Sequence, residues 1–508
     1  MTRHQLEILA KERGNHGDIK GAVTALQSEQ ILRVTTDPSV KAQWSAKSDV
    51  ADRAATMTWQ EVAFNLSLRN EMDECVPDEQ FKLDFAPEEQ PGPEGPMKIC
   101  PIEQVLGTLN DQTACGISGF DNFLYKKLRV SDVKPFVEYF AGHIKVDFAI
   151  PFNEHVRIAV CSGRGIGLDK GDRALRPIVI GECLRRLAGR CILDVAFRSG
   201  IGEELGRLLQ FGADIKGGTD LALHLPRAAL EALASATPER LEQLFPGGKI
   251  DVKDGFACVS ADAVNAFCSL RIDLVLESVC RRIPQLVGFF STCYRPNSPT
   301  RVVLDDYSTV NATSLAQGCC ISSICCACVI LDIMEDVRRD FANTKQKGWT
   351  METAYQDDIF GIVPVALVPQ YLASLRTHGK KRGLSFDNAA KNLVYVPQQF
   401  LPMDNPRDHL AQLWRQEPDQ VHLITDESVG GVSRGAKQLQ RNNQLDTNSI
   451  VVSTVGFEKI MGVPFRLVEP DSMPDAQTAS ITWLQAHVRA AAQKTFRLFG
   501  HLGSTHVD

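Results

Sequence analysis

The segment TAYQDDIFGIV, residues 353–363, constrains the fold more than any other stretch. It sets two adjacent aspartates, Asp357 and Asp358, between apolar and β-branched residues of the kind that fill the inside of a sheet. An unpaired buried carboxylate is costly, and two side by side each raise the cost of ionising the other. A strand–turn–strand with both acids at its tip keeps them charged if a divalent cation neutralises them. A solvated, aspartate-rich turn is the plainer alternative. Asp262, in CVSADAVNAF, tips the balance, because it too follows an apolar strand candidate. Three aspartates on neighbouring strand ends predict a site for two magnesium ions, one activating a 3′-hydroxyl and the other carrying a triphosphate.

At 508 residues the chain has room for two or three domains, or for one multi-lobed domain. Its net charge of −7 argues against coating nucleic acid by bulk electrostatics, so a polyanion site has to be a local basic channel. Candidates for that channel are Arg173, Arg176, Arg185, Arg186 and Arg190, with Lys380, Lys381 and Arg382 as a second cluster. Acids gathered in 71–95 are expected on the far side or on a linker. The start, MTRHQLEILAKERG, is charged and lacks an apolar core segment, and 15 irregularly spaced cysteines suggest reduced thiols. Both features predict an intracellular protein, in nucleus or cytoplasm. The run QGCCISSICCACVILDIMED holds Cys319, Cys320, Cys325, Cys326 and Cys328, read as small packing residues of a buried helix rather than a zinc site. Charges follow it too soon for a membrane span.

Residues 1–75 carry apolar spacing of a helical kind, as in KERGNHGDIKGAVTALQSEQIL. FAPEEQPGPEGPMKICP (85–101) reads as an exposed linker or long loop. A hairpin is expected over 155–192, from HVRIAVCSG through RGIGLDKGDR to ALRPIVIGECLRRL, which turns into a helix. From about 255 to 400, strand candidates (GFACVSADAV, TAYQDDIFGIV, KNLVYVP) alternate with helical ones (LRIDLVLESVCRRI, the cysteine-rich run, LVPQYLASLRTHGKKRG). That mixture predicts an α+β fold of antiparallel strands backed by helices. The last hundred residues read as largely helical after a strand or turn near STVGFEKIMGVPFRLV.

These residues carry a resemblance. YQDD at 355–358 resembles the tyrosine–any–aspartate–aspartate motif of reverse transcriptases, and DAVNAF at 262–267 their first palm motif. QGCCIS at 317–322 is similar to the Gln-Gly…Ser motif between those two. RPIVIGECLRRL resembles a fingers segment of the non-LTR-retrotransposon type, GLSFDNAAKNLVYV the segment after the paired aspartates, and IMGVPF the primer-grip turn. Each segment alone is weak, but their order and spacing agree over roughly 155–470. The sequence departs from the pattern at Cys319 and Cys320, which follow Gln-Gly where an acid and a proline are usual, at Ser323, and at Cys268, where Asn is common. The basic residue of the first fingers strand has no clear register among Arg157, Arg164 and Lys170.

The resemblance implies a right-hand polymerase fold: an N-terminal helical region and acidic linker (1–95), fingers and palm (96–400), and a helical thumb (401–508). It implies RNA-directed DNA synthesis on an RNA template from a DNA primer with dNTPs, and no membrane partner. Asp262, Asp357 and Asp358 would hold two Mg²⁺, and Tyr355 would brace the turn near the primer end. Phe267 would exclude a ribose 2′-hydroxyl, Gln317 and Gly318 would begin a helix under the nucleotide, and Arg176 would bind the triphosphate. Lys391 would approach the leaving pyrophosphate. The alternative is a repurposed homologue that binds nucleic acid or a protein partner without polymerising.

Overall fold

In a computed structural model, residues 83–465 are described apart from short internal stretches, together with the strand Ile31–Leu32. Most of the predicted N-terminal helices and the end of the chain lie outside the described residues, as does Arg173. The chain divides into two compact units: Thr36–Gly165 with Ile178–Arg466, and Met1–Thr35 with Ile166–Pro177 and Leu467–Asp508. In the second, Ile31 and Leu32 pair antiparallel with Leu168 and Gly167, so the end of the expected helix at 11–32 is extended.

The first unit is built on a six-stranded sheet: β1 (Phe256–Asp262), β2 (Met351–Tyr355), β3 (Asp358–Pro364), β4 (Leu393–Tyr395), β5 (Val421–Ile424) and β6 (Ile450–Ser453). Their order across the sheet is β5-β6-β4-β1-β3-β2. β1 and β3 pair antiparallel along their whole lengths, from Asp262 opposite Asp358 to Phe256 opposite Pro364. Ala257, Cys258 and Val259 on β1 and Ile362 and Val363 on β3 are wholly buried, which is why these strands are nearly continuous apolar runs.

Strand alternation sorts the layers. Thr353 donates to the carbonyl of Ala222 in the helix α1 (Gly218–Ala234), so the face it shares with Phe360 looks toward α1. Its neighbour Glu352 points the other way and pairs with Arg338 of α2 (Ser322–Ala342), Nε to Oε2 2.6 Å. On that same face a Cβ at Gly361 would meet the Tyr371 hydroxyl of α3 (Val368–Lys381) at 2.2 Å. The described residues therefore form a mixed α+β fold, with helices on both faces of the sheet. Cys325, Cys326 and Cys328 fill the core side of α2 with no exposure, and the described cysteines are free thiols. Among the described residues, no helix is long and apolar enough to cross a membrane.

Several local expectations give way. HVRIAVC is a helix, Glu154–Cys161, although Val156, Ile158 and Val160 alternate as in a strand. Arg157 and Cys161, one helical turn apart, are both buried, and Arg157 Nη1 donates to the Thr292 carbonyl at 2.9 Å. The hairpin starts later, pairing Gly163–Asp169 with Leu175–Gly181. The 85–101 linker contains a hairpin, Glu88–Gly92 with Gly95–Ile99. Region 401–508 is not purely helical in its described part. It contributes β5 and β6, parallel to each other, so a boundary at 401 cuts through one continuous sheet.

Candidate active site

The hairpin of β2 and β3 turns in two residues, with Tyr355 opposite Asp358 and Gln356 and Asp357 between them. Gln356 has φ 57°, the positive dihedral of the primed turns whose twist matches that of the flanking strands. Asp357 therefore sits at the tip and Asp358 on the first rung. Asp262 ends β1 directly opposite Asp358, so the two carboxylates leave the same face of the sheet. Register brings Asp262 and Asp358 together on adjacent strand ends, and Asp357 lies in the turn next to them rather than on a strand.

Lys391 reaches the same point from the other side. β4 pairs with β1 so that Leu393 faces Ser260, and continuing that register two residues sets Lys391 opposite Asp262. A turn in which the Lys391 amide bonds the Asn388 carbonyl at 3.0 Å delivers it, and Nζ lies 2.6 Å from Asp262 Oδ2. Lys391, in the turn before β4, thus lines up with Asp262 and Asp358 of β1 and β3, with both members of the ion pair half-buried.

Burial, together with the charges of Asp357 and Asp262, lifts the Asp358 carboxyl from the usual range to about 7, with the Lys391 ammonium opposing the shift. Oxygen donors with this under-neutralised charge are the chemistry that suits a hard divalent cation. Ligand spacing is a different matter. Among the described residues, no group of three or more His, Cys, Asp or Glu side chains stands at metal-holding geometry. The acids are aligned by backbone register but are not gathered into a closed cage, and the Asp262 carboxylate is drawn to Lys391.

A prediction follows from the raised Asp358 carboxyl. The folded chain holds this proton more tightly than the unfolded chain, so stability falls as pH rises from about 3.9 to about 7. Without metal, Asp358→Asn is expected to add about 1–3 kcal/mol at pH 8 and little at pH 4. Thermal melts across that range check it; equal gains at both ends would contradict the shift.

After Asp262 the chain leaves the sheet, as the Val264 amide bonds the Ser385 carbonyl at 3.0 Å. Asn265, at φ 50°, turns it into the short helix Ala266–Ser269. Phe267 on that helix is half-buried against the core, and its carbonyl accepts from Ser314 Oγ at 2.8 Å. Replacing it with alanine is expected to cost about 1–3 kcal/mol and, if the chain polymerises and the ring screens the sugar as the resemblance implies, to raise ribonucleotide incorporation roughly tenfold. Melting and dNTP:NTP incorporation ratios separate the two effects. A stability loss with an unchanged ratio would leave Phe267 as packing alone.

Gln317 and Gly318 lie in a turn, and α2 begins only at Ser322, later than expected. Here the strand Leu175–Gly181 docks directly: the Val179 amide bonds the Gln317 carbonyl at 2.7 Å. Gly318 has φ 108°, and a Cβ there would stand 2.6 Å from the Val179 oxygen. Glycine is required at this close approach. Tyr355 is half-buried on the hairpin rung, and Arg176 is exposed on Leu175–Gly181 in the other unit.

The expected basic channel is corrected in part. Arg185 is only 2% exposed. Its guanidinium donates to the Cys161 carbonyl and to Cys319 Sγ (3.1 Å) and lies 5.3 Å from the Tyr294 ring centroid. Arg186 donates to the Ala114 carbonyl at 2.8 Å, and Arg382 pairs with Asp336 at 2.7 Å. Arg190, Lys380 and Lys381 remain exposed. Cys319, an anomaly in the motif, is thus the thiol partner of a buried arginine.

One participant was not foreseen. Gln210 is wholly buried and bonds the backbone of Gln356. The only hint in GRLLQFGAD is an amide set within an apolar run. No protein-family model matches this chain, and no curated protein matches it.

Proposed function

We propose that this chain is an RNA-directed DNA polymerase with a right-hand arrangement, in which the six-stranded sheet is the palm. The observation that carries the reading is the meeting of Lys391, delivered by the turn before β4, with Asp262 and Asp358 on paired strands, Asp357 lying at the hairpin tip. Three separate sequence segments meet there in the order the resemblance implies. Asp262, Asp357 and Asp358 would hold two Mg²⁺, which supply an activated primer 3′-hydroxyl and offset the charge of the triphosphate. Lys391, paired with Asp262 at 2.6 Å, would offer its ammonium to the departing pyrophosphate as a cation and proton donor. Phe267 blocks the space of a 2′-hydroxyl, and Gln317–Gly318 provides a floor that approaches the nucleotide through backbone.

The test is primer extension by the purified chain on an RNA template with a DNA primer, Mg²⁺ and dNTPs. Template-dependent extension supports the reading. Two observations favour a second one, a homologue that binds nucleic acid or a protein partner without polymerising: the open spacing of the acids and the burial of Arg185. Template–primer binding with no incorporation, unaffected by Asp357→Asn, would favour that alternative.

A further inference from the structure

We propose that Gln210 is a positioning residue that locks the tip of the catalytic hairpin in the conformation presenting Asp357. The proposal rests on the polymerase reading for its kinetic consequence, and on the geometry alone for the lock itself. The Gln210 side chain holds both polar groups of one peptide-forming residue. Its Oε1 accepts from the Gln356 amide at 2.9 Å, and its Nε2 donates to the Gln356 carbonyl at 3.1 Å. Oε1 also accepts from the Gly212 amide at 3.0 Å. These partners fix which end of the side-chain amide is oxygen, because a backbone N–H needs an acceptor and a carbonyl needs a donor.

The clamp has a rigid mount. The Phe211 amide bonds the Ala354 carbonyl at 2.8 Å, and the Ala354 amide bonds the Leu209 carbonyl at 2.8 Å. Residues 209–211 therefore run as a strip along the outer edge of β2, where an edge strand would otherwise present unpaired backbone. Leu209 itself has φ 68°. Gly212 completes the fit: a Cβ there would lie 2.3 Å from the Gln356 nitrogen. Such contacts exceed what stability of the strand requires, because they converge on the one residue of the hairpin that has positive φ. Gln356 precedes Asp357, so rotating its peptide swings the tip carboxylate away from Asp262 and Asp358. A ligand group displaced by about an ångström loses about a hundredfold in rate while substrate contacts elsewhere persist.

The experiment uses the full chain with Gln210→Met, which keeps the volume and removes the three hydrogen bonds. Gln210→Glu keeps the accepted bonds but loses the donated one, and Gly212→Ala crowds the clamp from outside. Two readouts are taken together: hydrogen exchange of the Gln356 amide, and kcat and KM in primer extension. Expected for Gln210→Met is exchange at Gln356 at least about tenfold faster with β1 amides unchanged, since only the local opening is affected. Its kcat should fall about a hundredfold, with the nucleotide KM within about threefold of wild type. Gln210→Glu should accelerate Gln356 exchange at least as much as Met while its carboxyl is ionised, because a buried carboxylate oxygen then faces the Gln356 carbonyl. Unchanged Gln356 exchange in Gln210→Met, or equal acceleration throughout the sheet, would overturn the lock. Should that variant not fold, the Glu and Gly212→Ala proteins decide the same comparison. A wild-type chain that extends no primer, yet shows the local exchange pattern, would count against the polymerase reading and leave the lock standing.

Discussion

Asp357→Asn is expected to abolish primer extension, by about a thousandfold or more, while the protein stays folded. Asparagine keeps the shape of the side chain and a hydrogen-bonding oxygen but removes the charge that, on the proposed reading, would hold a cation, a loss of several kcal/mol at the transition state. The fold is spared because Asp357 sits in a two-residue turn whose backbone is fixed from outside by Gln210. Asp262→Asn should have the same effect on rate by a different local route, since it also breaks the ion pair with Lys391 at 2.6 Å. Neither change should lower the metal-free melting temperature much, because each removes one of three like charges that face each other. Primer extension alongside thermal melts measures both quantities. Activity within tenfold of wild type in a folded Asp357→Asn protein would remove it from the ligand set.

Arg185→Ala is expected to destabilise the fold by about 3–5 kcal/mol, not merely to weaken binding of nucleic acid. The guanidinium is 2% exposed and satisfies the Cys161 carbonyl and Cys319 Sγ beneath the Gln317–Gly318 turn. Removing it leaves a cavity and unpaired groups, while the neighbouring Cys319 thiol, held well below its usual range by Cys320 and by Arg185, loses a counter-charge. Arg190→Ala, at an exposed position on the same helix, should change stability by less than about 0.5 kcal/mol. Denaturant unfolding of the two variants side by side distinguishes the roles. An Arg185→Ala protein as stable as wild type would return this residue to the surface channel.

What the sequence determined by itself was local. Apolar runs of strand length, a two-residue break in TAYQDDIFGIV and helical spacing in the cysteine-rich run are set by neighbours in the chain. They yielded β1, β2, β3, β4, α2 and α3, but not α1. The position of an acid at the end of such a run is equally local, so Asp262, Asp357 and Asp358 were legible as strand-end or turn residues. Short amphipathic segments were less so. HVRIAVC alternates like a strand, yet it is a helix because Arg157 is buried against a carbonyl 135 residues away. The partners of the candidate site belong to this second kind. Lys391 meets Asp262 across 129 residues, Gln210 meets Gln356 across 146, and Arg185 finds Cys319 across 134. No periodicity encodes such pairs, because each depends on strand register and layer packing that exist only once the sheet has closed. Tertiary structure thus decided which cations face the acids, which arginine is core rather than surface, and what holds the hairpin tip. Desolvation and charge proximity, the causes of the raised Asp358 carboxyl, arise only from that three-dimensional arrangement.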